Sequence, residues 1–192
     1  MHRLNAFSRP GIRRACLPLM ISLFTSPSAV AGDDSESLAS RFEPCLRQVT
    51  DAKQMHDCFQ LFYASYPKLA NHANRAFELL GQAAKLDYLP AQYNLGSLFT
   101  RGEMVRKNLL VANNWLKRAA ERGDQQSQFA LGYNLITLYR ENPDKDSELA
   151  ELQLEEGLHW TSLAAKSGKL AAMRLLGYTL LTYIEEDHLT AR

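Results

Sequence analysis

The feature that most constrains the fold of this chain is a set of residues that recurs at two fixed intervals. Adjacent alanines occur at Ala83-Ala84, Ala119-Ala120 and Ala164-Ala165, so that the first interval is 36 residues and the second is 45. Other positions keep the same intervals: Leu79, Trp115 and Trp160; Leu95-Gly96, Leu131-Gly132 and Leu176-Gly177; Gly123 and Gly168. Periods of this length are typical of stacked-repeat proteins, in which each unit buries its apolar face against its neighbours.

Each unit is predicted to contain two antiparallel helices. Residues 91–100 carry apolar side chains at helical spacing. Gly102 is suited to end this helix, because glycine adopts the left-handed backbone of a helix C-terminus without a steric penalty. Asn108 is a good N-cap for a second helix, and Gly123 is suited to end it. The small side chain of Gly96 would let the two helices approach closely.

The second unit carries the fullest form of the pattern. Its residues are Ala91, Leu95, Gly96, Phe99, Gly102, Val105, Asn108, Ala112, Trp115, Ala119, Ala120 and Gly123. Their spacing resembles the Sel1-like repeat, a relative of the tetratricopeptide repeat, and the resemblance extends over about Met55 to Tyr183. It implies an all-α fold, a short right-handed α/α solenoid of antiparallel helix pairs with about three repeats plus capping helices.

The repeats also predict how the chain is organised. We expect a signal peptide at 1–31, an N-terminal capping helix and turn at 32–54, a degenerate repeat at 55–90, a repeat at 91–126, a repeat with an inter-helix insertion at 127–171, and a C-terminal capping helix at 172–192. The degenerate repeat has Gln60 and Asp87 where glycine is expected. The insertion is predicted in the loop near Arg140 to Glu151, because insertions in solenoids lie between helices.

The first 31 residues have the three parts of a cleavable signal peptide. Four arginines and no acidic residue precede the apolar run 15–24, and Ala29-Val30-Ala31 forms a small-residue cleavage site before Gly32. The alternatives are a membrane anchor, for which the apolar run is short, and a disordered N-terminus. We therefore predict export to the periplasm, with cleavage after Ala31.

Removal of this segment makes the chain mildly acidic. The full sequence has 22 basic and 21 acidic residues and a net charge of +1. The four arginines lie in the signal, so 18 basic and 21 acidic residues, a net charge of −3, remain in the 161 residues from Gly32 onward. Such a chain has the length of one domain, and its lack of a basic tract argues against nucleic-acid binding. We also expect no transmembrane segment after cleavage.

Two cysteines, Cys45 and Cys58, remain after Cys16 is removed with the signal. In an oxidising compartment an even pair in a small domain most simply forms a disulfide, although two buried free thiols are the alternative. The bridge requires neighbouring helices, and residues 48–51 can supply the turn and the helix cap between them. We predict a Cys45–Cys58 disulfide.

The sequence contains no recognisable catalytic or metal-binding motif. The histidines outside the signal are widely separated, and H-E-x-x-H, C-x-x-C and G-x-S-x-G are absent. The acidic stretch Asp144 to Glu156 lacks the ligand spacing and the central glycine of a calcium loop. It is interpreted as a solvated loop and helix start, or else as an acidic lip that contacts a basic partner. We predict no enzyme activity, no cofactor and no metal.

The resemblance to tetratricopeptide folds implies that the first helix of each unit lines a concave face. The register then predicts a row of partner-binding residues: Tyr93, Ser97 and Thr100; Phe129, Tyr133 and Ile136; Arg174, Tyr178 and Leu181. Aromatic residues and arginine are enriched at interaction hot spots. Tyr133 and Tyr178 are the strongest candidates, and the alternative is that several of these residues form ordinary inter-helix core.

These features favour a binding protein. The predicted function is a periplasmic protein–protein interaction module, an adaptor or assembly scaffold that holds an envelope component in its concave face. The resemblance also suggests an immunity protein that neutralises a secreted toxin, which would form a very tight one-to-one complex. A cell-wall or β-lactam-acting enzyme is the more remote alternative, and no S-x-x-K motif supports it.

Overall fold

The computed structural model describes residues 40, 42–45, 47, 49–66 and 68–190, with side chains up to Thr182. The compact unit that contains these residues is Asp33–Arg192. The predicted signal peptide, its cleavage site after Ala31 and part of the predicted capping segment lie outside the described residues.

The described residues fold into helices that pack in consecutive pairs. Short helical stretches at 42–45 and 47 come first, and a 3-10 turn at Ala70–His72 precedes the second of the full helices. The full helices are α1 (Ala52–Ala64), α2 (Ala73–Lys85), α3 (Leu89–Arg101), α4 (Leu109–Ala120), α5 (Gln125–Glu141), α6 (Glu148–Lys166) and α7 (Leu170–Thr190). The pairs are α1/α2, α3/α4 and α5/α6, and α7 packs against α6. The predicted all-α solenoid of helix pairs is confirmed.

Within the part of the chain that the structure describes, no helix combines the length and the apolar character needed to cross a lipid bilayer.

The predicted helix ends are confirmed by their hydrogen bonds and backbone angles. The Asn108 side chain accepts a hydrogen bond from the Val111 amide at 3.1 Å and caps α4. Gly102 ends α3 with φ of 70°, and Gly123 follows α4 with φ of 86°. These left-handed angles favour glycine, because a Cβ would crowd the following carbonyl.

Asp87 takes the glycine role in the degenerate repeat. Its φ is 61°, and short polar residues such as aspartate tolerate this conformation better than most. The Asp87 carboxylate accepts hydrogen bonds from Gln92 Nε2 at 3.0 Å and from Arg118 Nη2 at 2.7 Å, and its carbonyl accepts from Arg122 at 2.6 Å. The replacement therefore keeps the turn and links it to the next repeat.

The expectation that the insertion lengthens the loop between the two helices is wrong. The loop at 142–147 is no longer than the loop at 102–108 in the preceding unit. Instead, α5 has 17 residues where α3 has 13, and α6 has 19 where α4 has 12. The additional residues continue the helical hydrogen bonding, and Ala150 and Leu154 of α6 are buried. The two helices of the third unit are therefore longer than those of the second.

Glycine marks the points where the two helices of a unit touch. A Cβ on Gly96 would lie 2.6 Å from Leu116 Cγ of α4, and a Cβ on Gly132 would lie 2.9 Å from the Gly157 carbonyl of α6. A Cβ on Gly177 of α7, the equivalent position, would meet nothing within 4 Å. Among the described residues, no second helix packs against this position of α7.

Candidate functional site

The predicted row of binding residues divides into buried and exposed members. Ser97 and Ile136 are only 6% and 1% exposed, so they belong to the core, and their prediction as accessible contacts is wrong. Thr100 is half-buried and accepts a hydrogen bond from Asn134 Nδ2 at 2.9 Å. Tyr93 is half-buried against the apolar cluster between the second and third units. The α3 part of the row is therefore mostly occupied by inter-helix contacts.

The exposed part of the row lies on α5 and α7. Tyr133 is 49% exposed and Tyr178 is 53% exposed, and the two occupy equivalent positions of successive units. Phe129 lies one turn before Tyr133 on α5, with 6.5 Å between the ring centroids. Arg174 is exposed one turn before Tyr178. The exposed aromatic side chains of the row therefore lie on two helices, α5 and α7, instead of three.

Two cations that the sequence reasoning missed complete this surface. The Arg140 guanidinium lies 5.6 Å from the centroid of the Tyr178 ring, and Lys169 Nζ lies 5.2 Å from the centroid of the Phe129 ring. Lys169 Nζ also donates a hydrogen bond to Gln126 Oε1. Cation–π contacts of this kind contribute about 0.5–1 kcal/mol at exposed sites. They hold both cations against aromatic rings and place positive charge at the same surface.

We call this surface the aromatic face and define it by five residues: Phe129, Tyr133, Arg140, Lys169 and Tyr178. Arg140 lies in the part of α5 by which this helix is longer than α3. The equivalent position of the preceding unit, 36 residues earlier, lies beyond the end of α3 at Arg101. A signal for Arg140 was present in the sequence, since it lies one turn beyond Ile136. It was missed because the insertion was expected to begin there as a loop.

The acidic stretch Asp144 to Glu156 has structural roles. Ser147 caps α6 by accepting a hydrogen bond from the Ala150 amide at 3.3 Å. Glu156 pairs with Lys117 of α4 at 2.8 Å, and this contact helps to hold the pKa of Glu156 below its usual value despite partial burial. Among the described residues, no group of three or more His, Cys, Asp or Glu side chains is placed to hold a metal ion.

His56 lies in a buried polar contact between α1 and α3. Its Nε2 accepts hydrogen bonds from Asn94 Nδ2 at 2.8 Å and from Gln60 Nε2 at 3.2 Å, which places the ring proton of the neutral form on Nδ1. Burial lowers the pKa of His56, although Asp57, whose carboxylate is 3.8 Å from Nδ1, acts in the opposite direction. A proton on Nε2 would face two amide donors and break both hydrogen bonds.

We therefore expect the stability of the fold to decrease in weak acid. The unfolded chain takes up a proton near the ordinary histidine pKa of about 6.5, before the folded chain does. The free energy of unfolding should be constant above that pH and fall as the pH is lowered toward the depressed pKa of folded His56. Urea unfolding across this range tests the expectation. His56→Gln should remove the dependence, and identical pH profiles for the variant and the wild type would contradict it.

The repeats of this chain match a known family of repeat proteins. The sequence model of the family described as "Sel1 repeat" matches residues 68–88, 89–124 and 125–169. The last two segments begin two residues before the predicted repeat boundaries at 91 and 127, and the first begins within the predicted degenerate repeat. No curated protein matches the chain.

Two solved structures are similar in fold. A Sel1 repeat protein from Oxalobacter formigenes has a TM-score of 0.53 and 22% sequence identity, over 76% of this chain and 58% of that one. A protective antigen present in uropathogenic Escherichia coli strains and displaying an SLR fold has a TM-score of 0.43 and 23% identity, over 75% of this chain and 35% of that one. This chain thus spans less than two thirds of either structure, and the first likeness bears on the fold alone.

Proposed function

Because the chain belongs to the Sel1 repeat family, whose repeats generally mediate protein–protein interaction, we propose that it binds a partner protein through the aromatic face. Sel1 repeats typically serve as non-catalytic interaction scaffolds, and the proposed function needs no catalytic group.

The observation that carries the proposal is the pair of exposed tyrosines on successive units. Tyr133 and Tyr178 are each about half exposed on a surface formed by α5 and α7. Tyrosine and arginine are enriched among the residues that dominate binding energy, because they bury a large area and also offer a polar group. Arg140, already held against the Tyr178 ring, would lose little conformational freedom on binding.

The charge of the aromatic face favours an acidic partner. Arg140, Lys169 and the neighbouring Arg174 take part in none of the ion pairs among the described residues. Three cations beside exposed rings suit a segment that carries carboxylates next to an apolar or aromatic side chain. Such complementarity mainly raises the association rate, so binding should weaken as salt is increased.

The proposed setting is the periplasm. Its support is the signal-like sequence of residues 1–31 together with the Cys45–Cys58 disulfide, because disulfides persist in oxidising compartments. The partner would be an envelope component for which the chain acts as an adaptor or assembly scaffold. A secreted toxin is the second possible partner, and a one-to-one complex of very high affinity would identify it.

The test is to capture partners from periplasmic extract with the tagged wild type and with Tyr133→Ala/Tyr178→Ala, then to measure affinity for the purified partner. We expect the variant to bind at least tenfold more weakly, because truncation removes two rings from one contact surface. Tyr66→Ala is the matched control, since Tyr66 is 51% exposed but lies just after α1.

The outcomes separate clearly if circular dichroism shows that both variants remain helical. A partner lost by the tyrosine pair and kept by Tyr66→Ala supports binding at the aromatic face. A partner kept equally by all three proteins would place the contact on another surface. Failure of the wild type to capture any protein would contradict the proposed function itself.

A further inference from the structure

Helix α7 is placed as the first helix of a further unit. On the side that faces the preceding unit, Ala172 and Thr179 are 0% and 5% exposed. The equivalent residues of α5, Ser127 and Asn134, are both 0% exposed. The register therefore continues into α7, and its remaining sides can be compared with those of α5 position by position.

The opposite side of α7 is uncovered in the described structure. In α5, the second helix of the unit buries Leu135 and Ile136, which are 7% and 1% exposed. The equivalent residues of α7, Leu180 and Leu181, are 43% and 63% exposed. We call this surface the end face and define it by five residues: Leu170, Met173, Gly177, Leu180 and Leu181. In the preceding unit, the second helix covers the positions equivalent to Gly177, Leu180 and Leu181.

We propose that the end face is covered by the end face of a second copy of the chain, with the two α7 helices antiparallel and crossing at Gly177. A two-fold interface requires a surface that is complementary to itself. In an antiparallel pair centred on Gly177, residues equally distant from it on either side meet. Met173 of one copy then contacts Leu181 of the other, and the Arg174 stem contacts Leu180.

The protein already uses the crossing that this pairing needs. Helices α5 and α6 meet with a glycine on each side, because a Cβ on Gly132 would lie 2.9 Å from the Gly157 carbonyl. Gly177 leaves the same gap in the surface of α7, because it has no side chain, and the space around it is open. We call this gap the notch. Two copies of this notch facing each other would allow the helix backbones to approach as closely as they do within the third unit.

The charge distribution along α7 favours the antiparallel arrangement. The sequence around its start is basic, with Lys166, Lys169 and Arg174, and the sequence near its end is acidic, with Glu185, Glu186 and Asp187. An antiparallel pair brings the basic start of one helix to the acidic end of the other. A parallel pair would bring like charges together, which opposes association.

Sedimentation velocity over a range of protein concentrations tests the proposal. We expect the wild type to show a concentration-dependent monomer–dimer equilibrium. Leu181→Glu should weaken the dimer at least tenfold, and Gly177→Ala should weaken it several-fold because it fills the notch. Leu110→Glu is the matched control, since Leu110 is 69% exposed on α4, and it should leave the equilibrium unchanged.

Cross-linking of two cysteine variants tests the geometry of the proposed pair. A mixture of Met173→Cys and Leu181→Cys proteins should form a disulfide between copies that neither variant forms alone. A wild type that stays monomeric at every concentration would overturn the proposal. A different protein would then be the candidate for covering the end face. A dimer that is insensitive to Leu181→Glu would overturn it as well. The aromatic face is tested separately, through binding of a different protein by Tyr133→Ala/Tyr178→Ala.

Discussion

Gly132→Ala is expected to lower the free energy of unfolding by about 2 kcal/mol, within the range found for overpacked cores. The added methyl group would lie 2.9 Å from the Gly157 carbonyl oxygen and 2.9 Å from the Thr161 amide nitrogen. Both are backbone atoms of a helix, so neither can rotate away. The change would push α6 from α5 and disturb the 2.7 Å hydrogen bond that the Thr161 hydroxyl donates to the Gly157 carbonyl.

The three repeated glycines supply their own control series. At Gly96 the nearest atoms belong to the Leu116 side chain, which can change its rotamer, so Gly96→Ala should cost less than Gly132→Ala. At Gly177 the space is open, and replacing a helical glycine with alanine should stabilise the monomer by up to about 1 kcal/mol. Urea unfolding on the Leu181→Glu background, in which the proposed self-association is weakened, measures all three changes. The same sign of effect at Gly132 and Gly177 would contradict the argument.

The repeat intervals predicted the helix pairs and many of their ends, because those features depend on short-range chemistry. Gly102 and Gly123 adopt left-handed angles, and Asn108 accepts a hydrogen bond from the amide three residues later. Each of these roles is decided by a residue type and its immediate neighbours. A single sequence is therefore sufficient to predict them.

Contacts between units were harder to predict. Gln92 and Gln128, which are 36 residues apart, donate hydrogen bonds to the Ala84 and Ala120 carbonyls at 3.1 and 3.2 Å and so join each unit to the one before. Nothing in the spacing distinguishes a glutamine on the surface from one that fills such a position. The extension of α5 and α6 was missed for a related reason, since comparing intervals locates an insertion without deciding whether it continues a helix.

In the candidate site too, the direction of a side chain could be predicted from the sequence, but its burial by neighbouring units could not. Helical register predicted which way Ser97, Tyr133 and Tyr178 would point. It could not predict that Ser97 would be covered while Tyr133 and Tyr178 stayed exposed, because this depends on how neighbouring units stack. Leu181, placed in the concave row from the same register, occupies the position at which Ile136 faces α6, so it belongs to the end face.

Reduction of the Cys45–Cys58 disulfide is expected to destabilise the N-terminal end of the solenoid. The two residues are 13 apart in sequence and their Cα atoms are 5.6 Å apart. In the chain-entropy model, a bridge that closes a loop of this length contributes about 3 kcal/mol. The bridge fixes the leading helical segment, whose Phe42 ring is fully buried and packs against Phe62 with 6.0 Å between the centroids.

The loss should be local before it is global, because the bridge joins only the first helical segment to α1. Amide exchange in α1 and α2 should therefore accelerate on reduction more than exchange in α5 and α6.

Cys45→Ala/Cys58→Ala is the matched variant, since Cys58 is buried and alanine introduces no unpaired polar group there. If the bridge is the cause, this variant and the reduced wild type should unfold at the same lowered urea concentration. Reaction of the unreduced protein from Gly32 onward, which lacks Cys16, with a thiol reagent would contradict this account. An unfolding midpoint that reduction does not change would contradict it as well. The core around Phe42 would then have to hold the end of the solenoid without a covalent link.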